Sequence, residues 1–336
     1  MIAVRPFDPA DAGRWDAYVL SHPDSHFGQC AAWRALTTSQ YGVEPRYWVA
    51  VAGERVHGVL PLFESARALF SAPGGLLADD EAVAAALLEP ARRRLVDAAL
   101  DWIELRDQRR AWPHLETSGE HVTLELALER DPDRQWATFD AKLRNQIRKG
   151  ERAGFEPRWG RDQVAAFHRV LLENMRDLGT PIRSEGYYRA ALGALGDAAD
   201  LLVLWQGRTP VGAMFVVEHR DAMVDPWASS LRRVLARCPN HVLYWTAIRR
   251  AIEKGLARFD FGRSQPGSGT FDFKRQWGAV PVPLHYQYAL GRGRVVPTLA
   301  GQKERYAMAV GIWKRLPLGI AGRLGEPLKR RFPEVL

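Results

Sequence analysis

Two cysteines in 336 residues, Cys30 and Cys238, leave almost nothing from which to build a disulfide framework. They stand far apart with no metal-type or redox-type spacing, which fits a reducing compartment. Long apolar runs are missing as well. No stretch approaches the ~20 residues that span a bilayer. Residues 1–15 carry acids and prolines where a secretory leader would have an apolar core. A cytoplasmic protein is expected. The nine histidines include no H-E-x-x-H or other paired ligand spacing, so no metal is expected. G-x-S-x-G is absent, and so is a strand-linked G-x-G-x-x-G. Neither a nucleophile-elbow hydrolase nor a dinucleotide site is supported.

Acids are scarce only at one end. From Gly291 to Leu336 there are ten Lys and Arg against three Glu, which accounts for nearly all of the net charge of +8. The body is close to neutral and the tail is basic. With 46% apolar and 26% charged residues, the chain is ordinary globular material, long enough for two domains.

What is present is a repeated unit. Tyr47 to Ala52 and Val56 to Phe63 read as two strands around a turn at Gly53, with alternating apolar and β-branched or aromatic residues. The pattern returns 154 residues later, Gly53 falling on Gly207 and Gly58 on Gly212. A second echo follows in the same order. Glu89 to Leu100 is helical in pattern and leads into Asp101-Trp-Ile-Glu-Leu-Arg106. Val242 to Gly255 is helical and leads into Arg258-Phe-Asp-Phe-Gly-Arg263. Each copy reads helix, hairpin, helix, strand, which gives a mixed sheet flanked by helices and an α/β (α+β) class. The expected domains are 1–135 and 155–290. A single basic amphipathic helix, Trp136 to Gly154, links them, and a basic amphipathic tail at 291–336 follows, with a helical pattern from Gln302 to Arg315.

The densest glycine-rich polar stretch runs from Phe259 to Gly278. It leaves one strand and returns through another at Leu284 to Ala289. Loops at strand ends are common ligand sites, and Gly262, Gly267 and Gly269 would let backbone N–H groups approach an anion. The same glycines would equally serve a long hairpin turn. Gly262-x4-Gly267 is not a P-loop, because Ser268 follows in place of the lysine and no helix is expected to open there. Lys274, among Phe273 and Trp277, reads either as a snorkelling surface residue or as a cation at a water-poor site. Asp260 and Asp272 read as strand-end caps or as partners of Arg263 and Lys274. In the linker, Arg144, Arg148 and Lys149 form either a solvated face or a contact for a phosphate-bearing partner.

The run FDFGRSQPGSGTFDFKRQWG followed by PVPLHYQY, with KLRNQIRKGERAGFE, GVLPL, IELR and WKRLPL, closely resembles the FemAB-like branch of the GNAT-type acyltransferases. Within that branch it resembles members associated with exosortase/PEP-CTERM and exopolysaccharide loci. The resemblance covers essentially the whole chain in order. It implies two tandem GNAT-like domains and N-acyl transfer, as in FemAB-type relatives that move an aminoacyl group from charged tRNA to a cell-envelope precursor. It carries the transfer-site lysine onto Lys274, within Phe273-Lys-Arg-Gln-Trp277-Gly278.

On that basis the expected catalytic residues are Lys274 and Arg263 at the oxyanion, with Asp260 or Asp272 as base. Gly262, Ser264, Gly267, Gly269, Trp277, Tyr286, Arg144, Arg148 and Lys149 are the expected substrate contacts. No cofactor is expected. The donor would be aminoacyl-tRNA ahead of acyl-CoA, because Leu231 to Asn240 has no glycine where GNAT enzymes cradle the coenzyme pyrophosphate. The stretch from Ser65 to Asp80 is also shorter than in relatives. The acceptor would be an amine, lipid-linked in one version, with the tail touching the inner face of the membrane. A non-catalytic binding or assembly protein that keeps the fold is the rival reading, and DNA is not an expected partner.

Overall fold

The computed structural model describes residues 2–296 and 307–331. The chain forms two compact units, one holding the residues up to His121 with the strand from Pro283, the other Val122–Val282 with the C-terminal helix.

The first unit opens with β1 (Ala3–Pro6), α1 (Ala12–Ser21) and α2 (Ala31–Tyr41). It continues with β2 (Glu44–Ala52), β3 (Arg55–Glu64), β4 (Ala68–Pro73), the short β5 (Leu77–Ala78), α3 (Glu81–Asp97) and β6 (Trp102–Gln108). β2, β3 and β4 pair antiparallel in turn, and β4 then runs parallel to β6 through the α3 crossover. Asp80 caps α3 through the Val83 amide (2.9 Å), and the helix buries Val83, Leu87, Leu88, Ala91 and Leu95 on the sheet.

Next come β7 (Glu116–Ala127), α4 (Pro132–Thr138), α5 (Ala141–Glu151) and β8 (Glu156–Trp159), followed by α6 (Val164–Leu178) and α7 (Glu185–Leu195). The second unit then repeats the first: β9 (Ala199–Gln206), β10 (Thr209–His219), β11 (Ala222–Ser230), α8 (Pro239–Glu253) and β12 (Arg258–Ser264). Again two antiparallel pairings lead to a parallel one, β11 on β12. The repeat extends to irregularities. Gly53 and Gly207 both turn their hairpins at positive φ (59° and 58°), where a side chain would be strained. One residue past each turn pair the ladder skips, at His57 in the first unit and Val211 in the second. A shared bulge at the shared offset of 154 residues supports the duplication.

Three expectations are corrected. First, Trp136 to Gly154 is not one helix. Phe139 leaves helical geometry (ψ 143°) and Asp140 caps a new helix through the Leu143 amide (2.6 Å). Nor is α5 a free linker. It packs on α8, with Cys238 Sγ donating to Gln146 Oε1 (2.6 Å) and Gly150 so close that a Cβ would stand 2.5 Å from Val242. Second, a helix does open after the glycine loop: α9 (Gly269–Arg275), capped by Ser268. Third, β13 (Val280–Leu290) is not the return arm of a hairpin with β12. It pairs antiparallel with β6 in the first unit, while β7 pairs antiparallel with β12 in the second. The closing strand of each unit therefore comes from the other half of the chain. The last helix, α10 (Leu318–Arg331), follows a helical stretch at 307–313; the start of the expected tail pattern, Gln302 to Tyr306, lies outside the described residues. Among the described residues no helix is long and apolar enough to cross a membrane.

Candidate functional site

In the second unit the parallel ladder between β11 and β12 ends at Val224 opposite Asp260. Beyond that point the chain turns at Gly262 (φ +71°), tucked so tightly that a Cβ there would stand 2.4 Å from the Asp225 carbonyl oxygen. Only glycine fits both constraints. α9 then brings Lys274 back over the turn. Its ammonium is buried and donates to the carbonyl oxygens of Gly262 (2.9 Å) and Arg263 (3.1 Å), leaving its third N–H without a partner among the described residues.

Two carboxylates face this ammonium. Asp260 Oδ1 accepts from the Gly262 amide (2.8 Å) and from the Thr123 hydroxyl. Asp225 Oδ2 accepts from the Tyr244 hydroxyl (2.6 Å), and its Oδ1 is buried with no partner among the described residues. Burial pushes the Asp225 carboxyl up to about 7, against the pull of Lys274 and the Tyr244 hydrogen bond, with Asp260 adding to the rise. Burial likewise draws the Lys274 ammonium down, opposed by Asp225 and Asp260 and helped by Arg263.

An aromatic wall encloses the cluster. Tyr244 stacks on Phe261 (5.2 Å, 25°) and meets Phe273 (5.3 Å), and Trp277 packs on Phe139 edge to face (5.5 Å). In this low-dielectric surrounding an unmatched charge is costly, and Lys274, Asp225 and Asp260 act on one another's ionisation through the buried field. Further buried polar atoms lack partners here: Ser264 Oγ, Trp277 Nε1 and His241 Nδ1. Burial holds the His241 imidazole neutral, down to about 4. Buried groups of this kind call for water or a ligand. Among the described residues no cluster of His, Cys, Asp or Glu could hold a metal ion.

Of the expected site residues, Lys274, Asp260, Gly262, Ser264 and Trp277 converge. Arg263 contributes its carbonyl to the site, while its side chain is exposed. Asp272 is exposed in the first turn of α9. Gly267 makes an exposed turn (φ +76°) and Gly269 starts α9. Tyr286 belongs to the first unit, because β13 pairs with β6; its hydroxyl donates to Asp107 Oδ1 (2.8 Å). Arg144, Arg148 and Lys149 lie on α5 beside the start of α8, Arg148 over the Trp136 ring (5.3 Å). Asp225 and Tyr244 were not expected. A lone acid in the strand Ala-Met-Val-Asp225-Pro-Trp was the only signal.

Residues 137–275, which hold Asp225, Tyr244, Asp260 and Lys274, match the family model of the acetyltransferase (GNAT) domain. No curated protein matches the chain in sequence. Among solved structures, FemX shares 14% identity over 92% of this chain and 100% of its own, with a TM-score of 0.68. A tandem GNAT protein from the clavulanic acid biosynthesis pathway shares 13% over 89% of this chain and 100% of its own, at 0.56. The fold is a tandem GNAT fold. The C-terminal domain of a candidate lysylphosphatidylglycerol synthetase from Agrobacterium fabrum shares it too, at 12% identity, 90% and 96% coverage and a TM-score of 0.57.

The connection from β11 into α8, Leu231 to Asn240, contains no glycine. Arg232–Arg237 forms a 3-10 helix, and Cys238 takes the left-handed conformation (φ 59°) just before α8. At the matching helix start of the first unit, Asp80 caps α3 with a carboxylate and Glu81 follows. An anionic ligand would meet like charge at that place.

Proposed function

We propose that the chain is an acyltransferase that moves an activated acyl group, aminoacyl in the favoured version, onto an amine of a cell-envelope or exopolysaccharide precursor. The carrying observation is the buried Lys274–Asp225–Tyr244 cluster inside the GNAT-matching segment. An aminoacyl ester is already activated, so alignment of the amine with the ester carbon supplies much of the rate. As the amine nitrogen bonds to that carbon, the free N–H of Lys274 donates to the developing oxyanion. Asp225 Oδ1 accepts the proton lost by the amine and returns it to the departing ester oxygen as the carbon–oxygen bond breaks.

The 3-10 helix at Arg232–Arg237 favours aminoacyl-tRNA over acyl-CoA as donor, and the basic residues of α5 beside α8 suit its phosphates. The similarity to FemX and to the lysylphosphatidylglycerol synthetase domain agrees with an aminoacyl donor and a lipid-linked acceptor at the envelope. The resemblance to exosortase-associated members favours an exopolysaccharide context. Incubating the protein with charged tRNAs or acyl-CoAs and amine acceptors, and following labelled acyl groups, tests this. Lys274→Met should lower turnover by about 10²–10³.

A second reading treats Lys274 as a brace, since two of its three N–H groups hold backbone carbonyls, and the chain as a binding or assembly protein. Lys274→Met at wild-type turnover would leave the lysine a brace within an enzyme. No transfer from any donor would leave the binding protein.

A further inference from the structure

The last helix carries its amphipathic pattern inverted. On α10 the positions turned toward the second unit are small or polar. Ala321 and Gly325 are buried, and a Cβ at Gly325 would stand 2.5 Å from the Ile182 carbonyl oxygen. Glu326 is fixed on the same side, accepting from the Ser184 amide (2.8 Å) and pairing with Arg183 (3.5 Å). The close seam continues at 307–313, where a Cβ at Gly179 would meet Val310 at 2.5 Å and Trp313 is buried.

The aliphatic side chains stand on the other side. Met308 and Ile312, four apart, are 81% and 59% exposed, and Ile320 and Leu324, four apart, are each 45% exposed. An ordinary surface helix buries its large aliphatics and exposes small or polar residues. On α10 the inner positions are taken by Ala321, Gly325 and Lys329, so the outward placement of Ile320 and Leu324 is built into the sequence. Lys314, Arg315, Arg323 and Arg331 are exposed around them, as is Arg330, which pairs with Glu326 (3.1 Å), the only acid between residues 307 and 331.

We propose that this outward face is a docking surface for an anionic lipid bilayer, its aliphatics entering the headgroup–acyl boundary and its cations meeting the lipid phosphates. Charge decides the occupant. A second copy related by a two-fold axis would set Lys314, Arg315, Arg323 and Arg331 against their like charges. A phosphate-rich surface neutralises them.

The inference does not rest on the transfer reaction, and its test keeps the two apart. The full chain is sedimented with vesicles of phosphatidylcholine alone or mixed with phosphatidylglycerol, at low and high salt. It should pellet with the anionic vesicles only and be released by salt, as screening demands. The double variant Ile320→Asp/Leu324→Asp and, separately, Arg323→Glu/Arg331→Glu should each lower partitioning by about tenfold or more. Their thermal melts should stay unchanged because the side chains are exposed. Transfer to a soluble amine should be unaffected by either variant. Recovery of the wild type in the supernatant with anionic vesicles would overturn the proposal, as would variants that pellet like the wild type. So would a dimer, seen by light scattering, that Ile320→Asp dissolves.

Discussion

Asp225 shows how one residue acquires a function that its sequence neighbours do not announce. Its carboxyl is displaced from 3.8 to about 7 because burial penalises the charge more than Lys274 and Tyr244 relieve it. A folded-state value above the unfolded one means that the fold favours the protonated acid. The stability this group contributes is present below about pH 4 and lost as pH rises toward 7. Asp225→Asn should therefore gain stability relative to wild type as pH climbs from 4 to 7, then level off. This displacement corresponds to roughly 4 kcal/mol as an upper bound. Urea unfolding of both proteins across pH measures the difference, and a difference flat in pH would contradict the burial argument.

In the proposed reaction the same group must be ionised to accept a proton, so wild-type turnover should rise through about pH 7 and plateau. Asp225→Asn should lose that limb and about 10²-fold in rate. The acids read from the sequence, Asp260 and Asp272, lie within the recognisable motif. Asp225 does not, and Tyr244 on α8 and Lys274 on α9 are brought to it only by the fold.

At the scale of elements, legibility followed local pattern strength. Both hairpins were readable because alternation and a turn glycine coincide, and the structure repeats them down to the bulge. α9 was not readable. Its seven residues, Gly-Thr-Phe-Asp-Phe-Lys-Arg, begin with poor helix formers and are too short to show a period. Context holds it instead: Ser268 caps the Phe271 amide (3.3 Å) and Phe273 packs on Tyr244. Since α9 carries Lys274, the cap has a consequence at the site. Ser268→Ala should cost about 1 kcal/mol and lower turnover beyond what the stability loss explains, because the ammonium is no longer held over Gly262. Ser268→Asp should restore both, as an equally good cap. If Ser268→Ala leaves turnover untouched in a fully folded protein, the position of Lys274 does not depend on that cap. The single linker helix failed for the opposite reason. Its amphipathic period runs through Phe139, and only the Asp140 cap reveals the break.

For the whole molecule the sequence suggested two successive domains, 1–135 and 155–290, and the pairing of β13 with β6 and of β7 with β12 makes each unit depend on the far half of the chain. Nothing local to a strand specifies such an exchange, since register and partner are set by long-range pairing. Its energetic weight in the first unit can be read from Gln287 on β13. The Gln287 amide accepts from Gln108 Nε2 (3.0 Å) and the Trp112 amide (2.7 Å), and donates to the Trp112 carbonyl (2.8 Å) and Thr117 (2.9 Å). Tyr288 adds a donor to the buried Glu104 (3.1 Å). Without β13 these buried groups lose their partners at about 1–3 kcal/mol each, and β6 is left as an open edge. Together the losses approach the whole 5–15 kcal/mol that typically holds a domain together. A fragment of residues 1–135 should therefore not fold cooperatively, although it contains all of the first repeat. Co-expression with residues 136–336 should restore a stable complex, because the missing strand is then supplied in trans. Circular dichroism melts and amide dispersion of the fragment, alone and with its complement, decide the point. A cooperative melt of 1–135 by itself would mean that β13 is an accessory to the first unit rather than the strand that completes it.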